Sequence, residues 1–310
     1  MDTDNIERVL KELRNLDGFE AISAQSSDVQ RLGGLTNLVY RVKSGERAVI
    51  VRIPGDGTED YIDRAVEIHN ARVAADAGIG PAVLWADAET GVMISECIKN
   101  IVTMTPEHFA TRGGAAGRAG LALRQLHDAP RPFKFRFELF SMIDEYLKIL
   151  ATKDINLPDG YTEIVAEAAP IKQLLQDRPG NLVPSHCDPL CENFLDDGNR
   201  MWIVDFEYSG MNDALWDLGD LSVEAGLTET QEIEMLTVYF GATPTAAQIG
   251  RMVIYKAMCD LLWTLWGLIQ HADGNPAEDF WAYATGRFDR CKALMFSPEF
   301  PKHAQAIANE

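Results

Sequence analysis

The sequence is short of positive charge: 28 Lys and Arg stand against 47 Asp and Glu, a formal net charge of −19. A surface this acidic repels a phosphate backbone, which argues against nucleic acid as a partner. The charge itself reads either as simple solubility or as preparation for a cationic ligand. Cysteine is scarce as well. Cys97, Cys187, Cys191, Cys259 and Cys291 make an odd number without scaffold spacing, which points to free thiols and a cytoplasmic location. The first residues carry acids where a secretory leader needs bases, and no apolar run follows them, so no leader is predicted. An uninterrupted run of the ~20 apolar residues a membrane helix needs is also missing. Residues 253–270 come nearest and are broken by Lys256 and Asp260, so the reading is no membrane anchor.

What is present has globular texture, with 46% hydrophobic and 24% charged residues. The first third reads as strands with one helix. Residues 29–32 and 38–42 flank a Gly33-Gly34-Leu35-Thr36-Asn37 turn, residues 48–53 form an apolar run, and Ser44-Gly45 supplies the hairpin turn between. From 59 to 77 the apolar positions shift to helical spacing, and residues 83–85 and 92–96 return to strand. After Ile98 the pattern is mostly helical, with candidates at 117–127, 137–150, 161–176 and from 217 onward, and a helix start at Thr105-Pro106. The exception is 182–208, where two short β runs are joined by Asp197-Gly198, a strong hairpin signal. The expected class is α+β: residues 1–98 form a small antiparallel-sheet lobe with one main helix, and 99–310 a larger, mainly helical lobe.

The chemistry concentrates in Ser185-His186-Cys187-Asp188-Pro189-Leu190-Cys191-Glu192-Asn193 and, beyond the hairpin, Asp205-Phe206-Glu207-Tyr208. A loop presents Asp188 and Asn193, and a hairpin returning beside it brings Asp205 back. Three oxygen-bearing side chains meeting in this way suit phosphoryl transfer with Mg²⁺: two hold the ion on nucleotide phosphates and the third orients the attacking hydroxyl. Zinc is the competing reading of His186, Cys187 and Cys191, but a closed site needs four ligands and no second pair lies nearby. An ordinary capped turn is the other.

On these motifs, together with Val51-Arg52-Ile53-Pro54-Gly55 and Trp263-Thr264-Leu265-Trp266, the chain resembles the choline/ethanolamine kinase family over roughly residues 30–290. That family is related to aminoglycoside phosphotransferases and protein kinases, so the resemblance implies a two-lobed protein-kinase-like fold. It also implies transfer of the γ-phosphoryl group of ATP to the hydroxyl of choline, with Mg²⁺. Ethanolamine, thiamine or another amino alcohol is the alternative acceptor, and a non-catalytic nucleotide or amine binder the alternative class. By position, Asp188 matches the catalytic base, and Asn193 and Asp205 the magnesium ligands. His186 and Asp217 match residues that organise the loop. Arg52 matches the phosphate-binding cation, with Glu67 as its ion-pair partner. Gly34, Thr36 and Asn37 match the phosphate-covering turn, and Glu96 and Ile98 the backbone that meets adenine. Tyr208, Trp263, Trp266 and Tyr283 match the aromatic walls of the amine pocket, with Glu224 as its carboxylate. Trp263 and Trp266 also share one helical face, so a plain core role competes with the cage. The partner implied is a small cationic amino alcohol, and a homodimer is left open.

Overall fold

The structure is a computed structural model that describes residues 3–33, 37–55 and 62–310. Helix α1 (Thr3–Leu13) precedes strands β1 (Asp28–Arg31), β2 (Asn37–Ser44) and β3 (Arg47–Pro54), followed by α2 (Arg64–Asp76), β4 (Val83–Ala86) and β5 (Met93–Glu96). The five strands form one antiparallel sheet in the order β1-β2-β3-β5-β4. Gly45, at φ +58°, makes the β2–β3 turn that the sequence anticipates. Strand alternation then assigns the two faces of β3. Val49, Val51 and Ile53 are buried in a cluster with Val9, Leu10 and Leu13 of α1, so Arg52 falls on the opposite face.

Two expectations need correction here. Helix α1 was not anticipated, although Ile6, Val9, Leu10 and Leu13 recur at helical spacing and form its buried side. The helix expected from 59 begins later, at Arg64. Asp63, itself extended at φ −81° and ψ 102°, is its N-cap and accepts the backbone N–H groups of Ala65 and Val66. Position 59 lies outside the described residues.

Strand β6 (Val102–Thr103) and helices α3 (Pro106–Thr111), α4 (Ala115–His127), α5 (Leu139–Leu150), α6 (Tyr161–Glu167) and α7 (Ala169–Asp177) follow. The helix expected over 161–176 is therefore two helices, divided where Pro170 enters the first turn of α7. Next come β7 (Leu182–Ser185), β8 (Phe194–Asp196), β9 (Met201–Ile203) and β10 (Gly210–Asp213). β8 and β9 form the anticipated hairpin, with β6 added to its edge, while β7 pairs with β10. Helices α8 (Ala214–Glu224), α9 (Glu229–Phe240), α10 (Ala246–Ala272), α11 (Phe280–Met295) and α12 (Phe300–Ala308) complete the chain.

By length and composition α10 is apolar enough to cross a membrane, contrary to the reading that no segment is. Most of it is buried against α8, α11 and α12, so its apolar run is accounted for by the protein core. Two glycines set how close its neighbours come. A Cβ at Gly219 of α8 would lie 2.8 Å from the Met252 carbonyl oxygen, and one at Gly267 would lie 2.7 Å from the Tyr283 ring. These contacts hold α8 and α11 tightly against α10 and bring Asp220, Glu224, Trp263 and Tyr283 into one region.

Candidate active site

The loop after β7 is held by one buried carboxylate. Asp217 accepts the backbone N–H groups of His186 at 2.7 Å and Cys187 at 2.8 Å, and His127 Nε2 lies 3.0 Å from it. Trp216 donates its indole N–H to the Cys187 carbonyl at 3.0 Å. Cys187 sits at φ +68°, a conformation that costs a non-glycine residue energy and persists only when its surroundings impose it. Here Asp217 and Trp216 do so, and the resulting turn presents Asp188. His186 lies against Val204, Nε2 to carbonyl oxygen at 2.9 Å, which ties the loop to the strand that leads into Asp205. Asn193 donates its side-chain amide to the Asp188 carbonyl at 3.1 Å, and Val204 donates to the Asn193 carbonyl at 3.0 Å. Asp205 itself adopts φ +66°.

Around Asp205 the sheet and α2 assemble a second cluster. Arg52 pairs with Glu67 and lies 3.3 Å from Asp205 Oδ1. Arg64, one turn before Glu67, pairs with it at 2.8 Å and with Glu207 at 3.4 Å. Asn37 donates its amide to Glu207 at 3.1 Å. Burial alone would lower the Arg52 pKa, but Glu67, Asp205 and Glu207 together raise it, so the guanidinium is held charged. Burial, then the charge of Glu207, pushes the Asp205 carboxyl up to about 7 against the opposing pull of Arg52. Carboxylate oxygens of Glu67, Asp205 and Glu207 all lie within 4.8 Å of one another. An all-oxygen donor set of this kind fits a hard cation such as Mg²⁺. Asn193, expected as the other ligand, donates its amide N–H to the Asp188 carbonyl, a bond that does not use its side-chain oxygen.

Asp188 stands between this cluster and a third one. Burial, followed by the charges of Glu224, Asp205 and Glu207, pushes its carboxyl well above the ordinary range, while Arg287 draws it down. Across from it, aromatic rings meet edge to face. Tyr208 and Trp263 have centroids 5.8 Å apart, Trp263 and Trp266 6.4 Å, and Trp266 and Tyr283 5.8 Å. The structure thus brings together the four aromatic residues singled out by sequence. Two of the expected amine contacts already hold a cation, because Arg287 pairs with Glu224 and places its guanidinium 4.5 Å from the Tyr283 ring centre. Arg287 also bonds Asp260 at 3.2 Å. Trp263 donates its indole N–H to Asp220 at 3.2 Å.

Glu96 ends β5 opposite Val49, and its backbone N–H goes to the Ala82 carbonyl at 2.9 Å; Ile98 follows, half-buried. Gly34 and Thr36 lie outside the described residues. Sequence reasoning missed Arg64, Asp220 and Arg287 and gave Glu207 no role. Spacing could have found two of them: Arg64 lies one turn before Glu67, and Asp220 lies on the same helical stripe as Asp217 and Glu224.

A model of the phosphotransferase enzyme family matches residues 28–248. The crystal structure of a choline/ethanolamine kinase family protein from Mesorhizobium loti is 51% identical, with a TM-score of 0.90 and coverage of 98% of this chain and 99% of that one. Choline kinase LicA from Streptococcus pneumoniae is 27% identical, with a TM-score of 0.77 and coverage of 94% and 99%. Ethanolamine kinase 2 of Mus musculus is 26% identical over 87% of this chain and 77% of its own length.

Proposed function

Since the chain belongs to the choline/ethanolamine kinase family of phosphotransferases, we propose that it transfers the γ-phosphoryl group of ATP to the hydroxyl of a small cationic amino alcohol. Choline is the acceptor put first, because the rings of Tyr208, Trp263 and Trp266 can hold a cation that has no N–H, and relatives named as choline kinase and ethanolamine kinase bracket the range. What supports the reading is that the Asp188 carboxyl feels both Asp205 and Glu207 of the Arg-and-carboxylate cluster and Glu224, which pairs with the Arg287 that lies over the Tyr283 ring.

The chemistry divides among the residues as follows. Arg52, held by Glu67, pairs with phosphate oxygens through its planar fork. Asp205, with Glu67 and Glu207 close to it and Asn193 as the further ligand implied by the resemblance, would hold Mg²⁺, which would neutralise charge on the phosphates. Asp188 orients the acceptor hydroxyl toward the γ-phosphorus. As the new oxygen–phosphorus bond forms and the bond to the β-phosphate oxygen breaks, the hydroxyl proton passes to Asp188, and ADP leaves. Tyr208, Trp263 and Trp266 offer ring faces to the ammonium, with the acids behind them. Within this reading, the lobes divide near residue 98, with Glu96 and Ile98 presenting backbone to the adenine and Asn37 on the phosphate side.

The test is ADP release with Mg²⁺, ATP and each of choline, ethanolamine, thiamine and an aminoglycoside. Turnover confined to the amino alcohols is the expected result. No ADP above the acceptor-free rate with any of them would favour a binding protein without turnover.

A further inference from the structure

Helix α8 carries Asp217, Asp220 and Glu224 three and four positions apart, so they lie along one stripe. Two of the three are committed to neighbours. Asp217 is engaged by the His186 and Cys187 backbone N–H groups, and Glu224 by Arg287. Asp220 is different. It is 1% exposed, its Oδ2 accepts the Trp263 indole N–H, and its Oδ1 has no hydrogen-bond partner among the described residues. A buried carboxylate oxygen without a donor is costly, and a donor brought by a ligand relieves that cost. Asp220 adjoins the aromatic row assigned to the ammonium, since its partner Trp263 packs against Tyr208 and Trp266, and burial followed by the charges of Glu224 and Asp188 pushes its carboxyl well above the ordinary range against the pull of Arg287.

The chemistry of the acceptor decides whether that oxygen is used. A quaternary ammonium has methyl groups where a primary, secondary or tertiary ammonium has at least one N–H. Ring faces attract both kinds of cation, but only an N–H can satisfy Asp220 Oδ1. Glu224 is less suited to the task, because Arg287 already supplies its counter-charge. We propose that Asp220 determines head-group specificity, its unpaired Oδ1 accepting a hydrogen bond from an N–H-bearing ammonium and so raising such acceptors relative to a quaternary one. This rests on the amino-alcohol kinase reading above and refines it.

Asp220→Asn isolates the effect. The Trp263 indole can only donate, so the amide turns its oxygen to Trp263 and presents its NH₂ group where Oδ1 was. A donor then faces a donor. The ratio of kcat/KM for ethanolamine to that for choline should fall by about tenfold or more in Asp220→Asn, with the KM for ATP followed alongside. A ratio within about twofold of wild type overturns the assignment. If the variant turns over neither amine, the wild-type enzyme decides, assayed with ethanolamine, its N-methyl and N,N-dimethyl derivatives, and choline. The assignment requires the step that removes the last N–H to raise KM more than either earlier methylation, and even steps refute it. Should wild type release ADP with none of the four, the kinase reading itself has failed and this refinement falls with it.

Discussion

The two sides of the cleft handle an excess of acid in opposite ways. On the side assigned to nucleotide, Glu67, Asp205 and Glu207 are interleaved with Arg52 and Arg64, and each acid has an arginine within ion-pair distance. On the side assigned to the acceptor, Asp188 and Asp220 are drawn down by Arg287, which is shared with Glu224 and Asp260, while Arg290 pairs with Asp260 and feels Glu224 from farther off. The first arrangement fixes geometry, since oppositely charged neighbours hold one another in place. The second leaves acids in excess of their counter-charge beside a row of aromatic rings, so burial and mutual repulsion push Asp188 and Asp220 up, a cost that an incoming cation would relieve.

The largest effect should come from the residue between the two sides. Asp188→Asn keeps the shape and removes the proton acceptor, so kcat should fall by roughly 10²–10⁴ while both substrates still bind. ADP release under saturating substrates measures it, and turnover at the wild-type rate would remove Asp188 from the chemistry.

A crossed pair of variants tests whether the sides are separable. Arg52→Ala takes one of two cations from a cluster of three acids, so the KM for ATP should rise steeply. Stability should fall as well, by about 3 kcal/mol, because breaking a buried ion pair leaves an acid poorly compensated. Trp266→Ala should raise the KM for the amine by roughly 2–30-fold, corresponding to the loss of one ring face, and leave the KM for ATP unchanged. Trp266 is the better of the two tryptophans for this purpose, since Trp263 is 3% exposed and its truncation would open a core cavity. Equal losses for both substrates would mean that the aromatic row is core packing and that the comparison is misdrawn.

The same contrast governs how much could be read from sequence. Strand alternation and turn residues defined the hairpins, and the His186–Asn193 and Asp205–Tyr208 motifs marked the region proposed as catalytic, because these features are local. Arg52 with Glu67 was legible only through family position, although the contact between β3 and α2 is now explicit. Arg287 was not legible. It lies on α11, far along the chain from Glu224, and no periodicity marks one arginine of a helix as the partner of a distant acid. Asp220 was hidden for a related reason: its lone oxygen is a property of packing among α8, α10 and the catalytic loop. The apolar stripe of α1, Ile6, Val9, Leu10 and Leu13, is legible as a helix, but that it packs under the sheet is a tertiary contact with no local signal.

The smallest predicted effect concerns the joint between the two sides. Burial holds the His186 imidazole below its ordinary value, against the upward pull of Asp217 and the Val204 carbonyl. In the unfolded chain this ring takes a proton near 6.5, while in the folded protein it stays neutral to lower pH. As pH falls below 6.5 the unfolded state therefore binds more protons, and stability declines by at most ~1.4 kcal/mol per pH unit from this residue. Acids with raised values, Asp188 and Asp205 among them, act with the opposite sign over the acidic range, so the absolute curve mixes both. The difference between wild type and His186→Gln separates them, since Gln can still donate to the Val204 carbonyl but cannot titrate. Urea unfolding at intervals from pH 7.5 to about 5 should show wild type losing stability relative to His186→Gln as the pH drops. Parallel curves would mean that the imidazole is protonated in the folded state as readily as in the unfolded one, and the loop would then carry a positive charge beside Asp188 that the division between a compensated side and a surplus side does not allow for.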